Sequence, residues 1–135
     1  MVSYREYQRA SENRAAAALG RTYPGGIDAF KLAMNHKAQM LGMNGSRFDD
    51  ATGLSSANVS SAEDLVKLVR AAHQYELIRN YTTLTGQTVQ VAGRSLAYRN
   101  TNRLVANGSW NIGLSKTGFT NDAGRCLVLQ AKLAE

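Results

Sequence analysis

The chain has one cysteine, one proline and two histidines among its 135 residues, and no long hydrophobic run. The single Cys126 excludes an internal disulfide, and with only His36 and His73 beside it no zinc site can be assembled from thiols and imidazoles. No metal or other cofactor is therefore expected. No segment approaches the apolar length of a membrane span, and the opening "MVSYREYQRA" lacks the apolar run of a signal peptide. As written, the chain is expected to stay in the cytoplasm where it is made. The scarcity of proline, with an apolar fraction of 44%, argues against a disordered polar tail.

What is present fits one soluble domain, long enough to bury roughly two thirds of the surface its unfolded form exposes. The formal net charge is +6, and most of the cations are arginines, which raises an anionic polymer as a partner. The arginines, however, are spread from Arg5 to Arg125 without a basic block, and no glycine-aromatic RNA signature accompanies them. Nucleic-acid binding is thus the weakest reading of the charge.

Along the chain, residues 3–19 read as helix with an interruption near Ser11, the alanines Ala15 to Ala18 supplying propensity and Gly20 a stop. "YPGG" makes a turn. From Ile27 the apolar residues Phe30, Met34, Ala38 and Leu41 recur at helical spacing, and Gly42 falls where a left-handed cap belongs. Residues 44–61 are rich in Gly, Ser, Asn and Asp and should form a long ordered loop. A capping box, Ser60 with Glu63 or Ser61 with Asp64, opens the next helix, whose apolar face is Leu65, Leu68, Val69 and Ala72.

After Asn80 the pattern turns β-branched and alternating, and "TVQVAG" and "RSLAYRN" predict a hairpin around Gly93. A second hairpin joins residues 110–118 to residues 125–132, with "CLVLQA" reading as a covered strand and Cys126 as a small buried hydrophobe. Helices first and strands later predict an α+β domain.

Two short motifs could carry chemistry. Lys116, Thr117 and Gly118 sit near the end of a strand, offering an ammonium, a hydroxyl and an unobstructed backbone to a carboxylate. Alone, the triplet reads equally as a surface lysine beside a structural glycine. Ser11 and Asn13 precede the alanine-rich helix, where a plain N-cap would also place them.

Taken together, "SENRAAAALGRTYPGG", "FDDATGLSSANVSSAEDL", "YRNTNRLV" and "LSKTGFTNDAGRCLV" closely resemble the low-molecular-weight penicillin-binding proteins, specifically D-alanyl-D-alanine endopeptidases of the penicillin-binding protein 7 type. The resemblance runs over residues 10–132. It implies part of a penicillin-binding-protein transpeptidase-like fold, with antiparallel hairpins after helices. It also implies a periplasmic serine D,D-peptidase acting on peptidoglycan stem peptides through an acyl-enzyme, and able to bind β-lactams.

Such enzymes carry Ser-x-x-Lys, Ser-x-Asn and Lys-Thr-Gly motifs. Ser11 and Asn13 match the second, and Lys116, Thr117 and Gly118 the third. By that resemblance Ser11 relays a proton, Asn13 holds the substrate amide, Lys116 and Thr117 bind a carboxylate, and the Phe119 N–H is an oxyanion donor. Donors of this kind belong where negative charge develops in the transition state.

None of the five lysines, Lys31, Lys37, Lys67, Lys116 and Lys132, follows a serine three positions earlier. The expectation is a fragment, with residues 11–135 from a D,D-peptidase catalytic domain and residues 1–10, polar where the family is apolar, altered or foreign. Strand edges left open by the missing segments would favour self-association or domain swapping. A non-catalytic folding or interaction module is the alternative. Losing a cooperating nucleophile costs on the order of a million-fold in turnover. The chain alone is thus expected neither to hydrolyse peptidoglycan nor to acylate with penicillin; intact-mass measurement should find no penicillin adduct, and an adduct would refute this.

Overall fold

The structure, a computed structural model, describes residues 13–91 and 93–133. Helix α1 (Asn13–Thr22) is followed by α2 (Gly26–Met40), α3 (Ala62–His73), α4 (Glu76–Thr82), strands β1 (Gly86–Val91) and β2 (Arg94–Arg99), α5 (Arg103–Asn107), and strands β3 (Asn111–Thr120) and β4 (Gly124–Lys132). The α+β order is the expected one. The expected helix before Ser11 lies outside the described residues.

Helix α1 does not stop at Gly20 but runs on to Thr22, whose hydroxyl donates back to the Ala18 carbonyl at 3.0 Å. The glycine serves close packing instead of termination. A Cβ at Gly20 would stand 2.8 Å from Ile27 Cδ1, 2.9 Å from Ala51 Cβ and 3.3 Å from Phe30 Cδ1. Ala15 and Ala16, both buried, continue the same small-residue face. The chain then reverses through Gly25, at φ 87°, and the Tyr23 ring packs against that of Phe30, tilted by 58° with centroids 5.3 Å apart.

Helix α2 ends as its sequence indicates. Gly42 takes φ 71°, its N–H bonds the Gln39 carbonyl at 2.9 Å, and the Met43 N–H bonds the Ala38 carbonyl at 2.9 Å. This pair of bonds is a Schellman cap, and it turns Met43 into the core with 1% exposure.

The loop that follows is ordered by side chains. Asn35 in α2 donates to the Phe48 carbonyl at 2.6 Å and accepts from the Phe48 N–H at 2.9 Å, an amide standing in for a strand. Arg47 and Val59 close the loop with two backbone bonds of 2.8 and 2.9 Å. Ser61 is the cap of α3, accepting from the Asp64 N–H at 3.1 Å. The Asp64 carboxylate, though, accepts from the Gly45 N–H, the Ser46 hydroxyl and the Lys67 ammonium at 2.8 to 2.9 Å, pinning the loop to the helix start.

Two short helices were not foreseen. α4 continues past Asn80 because Tyr81 and Thr82 are buried, and because Thr82 and Thr83 bond back to the Arg79 carbonyl, a use of β-branched hydroxyls at a helix end. α5 is capped by Asn102, which accepts from the Leu104 N–H, and closed by Gly108 at φ 64°.

The hairpins form two separate antiparallel pairs, β1 with β2 and β3 with β4. β1 and β2 turn at Gly93, φ 76°, as expected. In the second pair Gly118 faces Cys126, and a bulge shifts the register between Ile112 and Leu114. β3 packs on α3 and α4, and Leu114 is buried there.

The expected covering of β4 is found only in part: Val128 to Ala131 are half-buried and the strand packs on α3, but its first residues stand open. Leu127 is 47% exposed, and Cys126 is exposed instead of buried. Its cross-strand partner Gly118 has no side chain to shelter it, and the thiol rests 3.6 Å from the Ala123 carbonyl at the turn.

In an exposed helix Gly→Ala gains about 1 kcal/mol. At Gly20 the sign should reverse, because Ala51 Cβ cannot yield as a flexible side-chain end does. Gly20→Ala is expected to lower stability by about 1 to 2 kcal/mol, read as a fall in the urea midpoint.

Candidate active site

The third-motif residues emerge along the second half of β3. A cleft of about 1420 Å³ opens there, lined by Asn13 at the start of α1, by Lys116, Thr117, Gly118 and Phe119, and by Thr101 before α5. The structure thus brings five of the six sequence-derived residues to one place. Ser11 lies outside the described residues.

Each strand residue has a local reason for its form. Lys116 is half-buried, its ammonium donates to the Thr117 carbonyl, and burial holds its pKa below the usual lysine range. A partly desolvated ammonium projects a stronger field than one in water. The Thr117 hydroxyl lies 2.5 Å from that of Thr101. At Gly118 a Cβ would meet only Cys126 Cβ, at 3.9 Å, so the fold itself does not demand glycine there. The missing side chain leaves the strand backbone open to the cleft. Phe119 stands 65% exposed beside it.

The opposite wall is the loop of residues 48–58, built around Asn58. Its side-chain oxygen accepts from the N–H groups of Asp49 (2.7 Å) and Asp50 (3.2 Å), while its amide donates to the Asp50 carboxylate at 2.5 Å and the Ser55 carbonyl at 2.9 Å. Burial alone would raise the Asp50 pKa. Hydrogen bonds from the Thr52 hydroxyl, the Asn58 amide and the N–H groups of Thr52 and Gly53 outweigh it and lower the value to about 2. Asp49 anchors the loop to α2 through Lys31, 3.1 Å away.

Sequence reasoning missed Thr101, Arg103 and the Asp50 wall as parts of this cleft. A signal existed in "NTN", since two asparagines around an exposed residue often lock a turn. The cleft carries Arg103, Lys116 and Arg125 against Asp50 and Asp122, a small cationic excess suited to an anionic ligand group. Among the described residues no group of three His, Cys, Asp or Glu side chains could hold a metal ion, and no helix is long and apolar enough to cross a membrane.

The sequence pattern of the D-alanyl-D-alanine carboxypeptidase family matches residues 4–135. The chain belongs to that family. It is 50% identical over 126 residues to the D-alanyl-D-alanine endopeptidase of Pseudomonas aeruginosa, which covers 92% of this chain and 41% of that protein. With the D-alanyl-D-alanine endopeptidase of Escherichia coli it shares 53% identity over 123 residues, covering 90% of this chain and 40% of that protein. The crystal structure of a Streptomyces DD-transpeptidase superposes with a TM-score of 0.80 at 30% identity, over 88% of this chain and 50% of the other. The chain therefore spans about two fifths of these curated family members and half of the solved one. Its helices and hairpins are part of the DD-transpeptidase fold.

The lowered Asp50 pKa has a defined consequence for pH. A carboxyl depressed in the folded state contributes stability above its unfolded pKa near 3.8 and loses it as pH falls toward about 2. The Thr52 and Gly53 amide resonances should therefore titrate near pH 2. In Asn58→Ala, which removes one lowering bond, that midpoint should rise toward 3.8, as followed by NMR.

Proposed function

We propose that this chain supplies the substrate-holding half of a serine D,D-peptidase active site that cleaves peptidoglycan cross-links at D-alanine. The convergence of Asn13 with Lys116, Thr117 and Gly118 on one cleft supports the reading above all else. Asn13 holds the substrate amide, Lys116 and Thr117 take the carboxylate beyond the scissile bond or that of a β-lactam, and the open backbone at Gly118 lets the peptide lie against the strand. The Phe119 N–H donates to the oxyanion, and Ser11 passes the proton to the leaving amine.

In the full reaction a serine Oγ attacks the D-alanyl carbonyl, the amine leaves with a proton, and water hydrolyses the resulting ester. That serine, with its lysine three residues on, has to come from a segment outside these 135 residues. The reading places the work in the cell wall, on the periplasmic side. Exposed Phe119, Leu127 and Leu133 around a two-stranded sheet also support self-association through its edges.

The test supplies the missing segment. The chain is mixed with a separately produced upstream segment of a family member bearing Ser-x-x-Lys, and labelled with fluorescent penicillin. Labelling is expected only in the mixture, and Lys116→Ala should lower its rate on the order of 100-fold. Two pieces that co-purify but stay unlabelled would favour a non-catalytic module instead.

A further inference from the structure

Thr101 is an exposed residue between two that are committed to the fold. The Asn100 amide donates to the carbonyls of Thr82 and Leu84 at 3.0 and 2.9 Å, and its oxygen accepts from the Asn102 N–H at 2.9 Å. The Asn102 amide donates to the Ser115 hydroxyl at 2.8 Å, a pair in which both residues are 5% exposed, and its oxygen caps α5. The backbone on either side of Thr101 is thus clamped to α4 and to β3. Thr101 itself lines the cleft, with its hydroxyl 2.5 Å from that of Thr117.

A hydroxyl carries one proton, so of two facing hydroxyls one donates and the other keeps its proton for a third group. Lysine accepts no hydrogen bond, so the spare proton is not taken by Lys116 and can be offered to a ligand acceptor in the cleft. A hydroxyl that already accepts a bond is polarised into a better donor.

Resting on the cleft's assignment to D-alanyl peptides, we propose that Thr101 is a positioning residue for carboxylate recognition: its hydroxyl donates to Thr117 Oγ1 and turns the Thr117 proton toward a carboxylate docked beside Lys116. The asparagine clamp fixes Thr101 in advance, so the alignment costs little ordering on binding. The ligand class is a peptide with a free carboxylate on the residue after D-alanine, in preference to its neutral amide.

NMR titration of the 135-residue chain with N-acetyl-D-alanyl-D-alanine, and with its C-terminal amide, tests this. Thr101→Val keeps the shape and removes the hydroxyl; it should weaken binding of the acid about five-fold, the worth of one net hydrogen bond, and leave binding of the amide unchanged. Thr101→Ser should restore the wild-type affinity, and Thr101→Val added to Thr117→Val should cost nothing more. Amide spectra unchanged away from the cleft verify the fold, and Thr101→Ala replaces the valine variant should that one fail to fold. If Thr117→Val weakens the acid and Thr101→Val does not, or if serine fails to restore it, the inference is overturned while the cleft assignment stands. Absence of saturable binding to the wild-type chain overturns both.

Discussion

The crossing at Gly20 is the contact on which the rest of the arrangement depends. With no side chain there, α1 lies directly against Ile27 and Phe30 of α2 and against Ala51 of the following loop. One close approach thus sets two walls of the cleft, because α1 carries Asn13 and the loop carries Asp50. Interiors pack at crystal-like density, so even a single added carbon there has to displace a neighbour. The loop is in turn tied down by Asn35 and Asn58, amides that each serve several backbone groups, and by Asp64, whose carboxylate takes the Gly45 N–H, the Ser46 hydroxyl and the Lys67 ammonium. Polar side chains do for this segment what a sheet would do elsewhere.

Much of this was legible in the sequence where a signal is local. The period from Ile27 and the glycine at position 42 gave α2 and its cap, and Ser61 with Asp64 marked the start of α3. Gly20 was misread because a terminating glycine and a packing glycine look alike without knowledge of what lies opposite. Cys126 was misread for a related reason: burial of a strand residue depends on what covers it, and its neighbour across the strand is a glycine. The helical state of Tyr81 and Thr82 reflects tertiary packing overriding a β-branched pattern. Within the site, the Lys116 and Asn13 motifs were visible through family resemblance, whereas Thr101 acquires meaning only from a hydroxyl sixteen residues away.

Family membership and partial length together explain the surface. Phe119 and Leu127 of the β3–β4 hairpin, and Leu133 just beyond it, are exposed to water, and the open edges of a two-stranded sheet are templates for pairing with further strands. The buried Asn102 and Ser115 pair, by contrast, is internally complete. Among the described residues the buried polar side chains Asp64, Thr82, Asn102 and Ser115 each make a hydrogen bond, while apolar side chains of the hairpin stay open.

The bulge in β3 has a consequence for how the family can vary. Side chains alternate across a strand, so one extra residue reverses the parity of everything beyond it. The register shift between Ile112 and Leu114 lies just ahead of Lys116 and Thr117. It acts as a phase marker: insertion or loss of a single residue there would roll the ammonium and the hydroxyl to opposite sides from those they now occupy, with every letter of the motif intact. Motif and geometry are separable in this strand, and Gly113 is where they are joined.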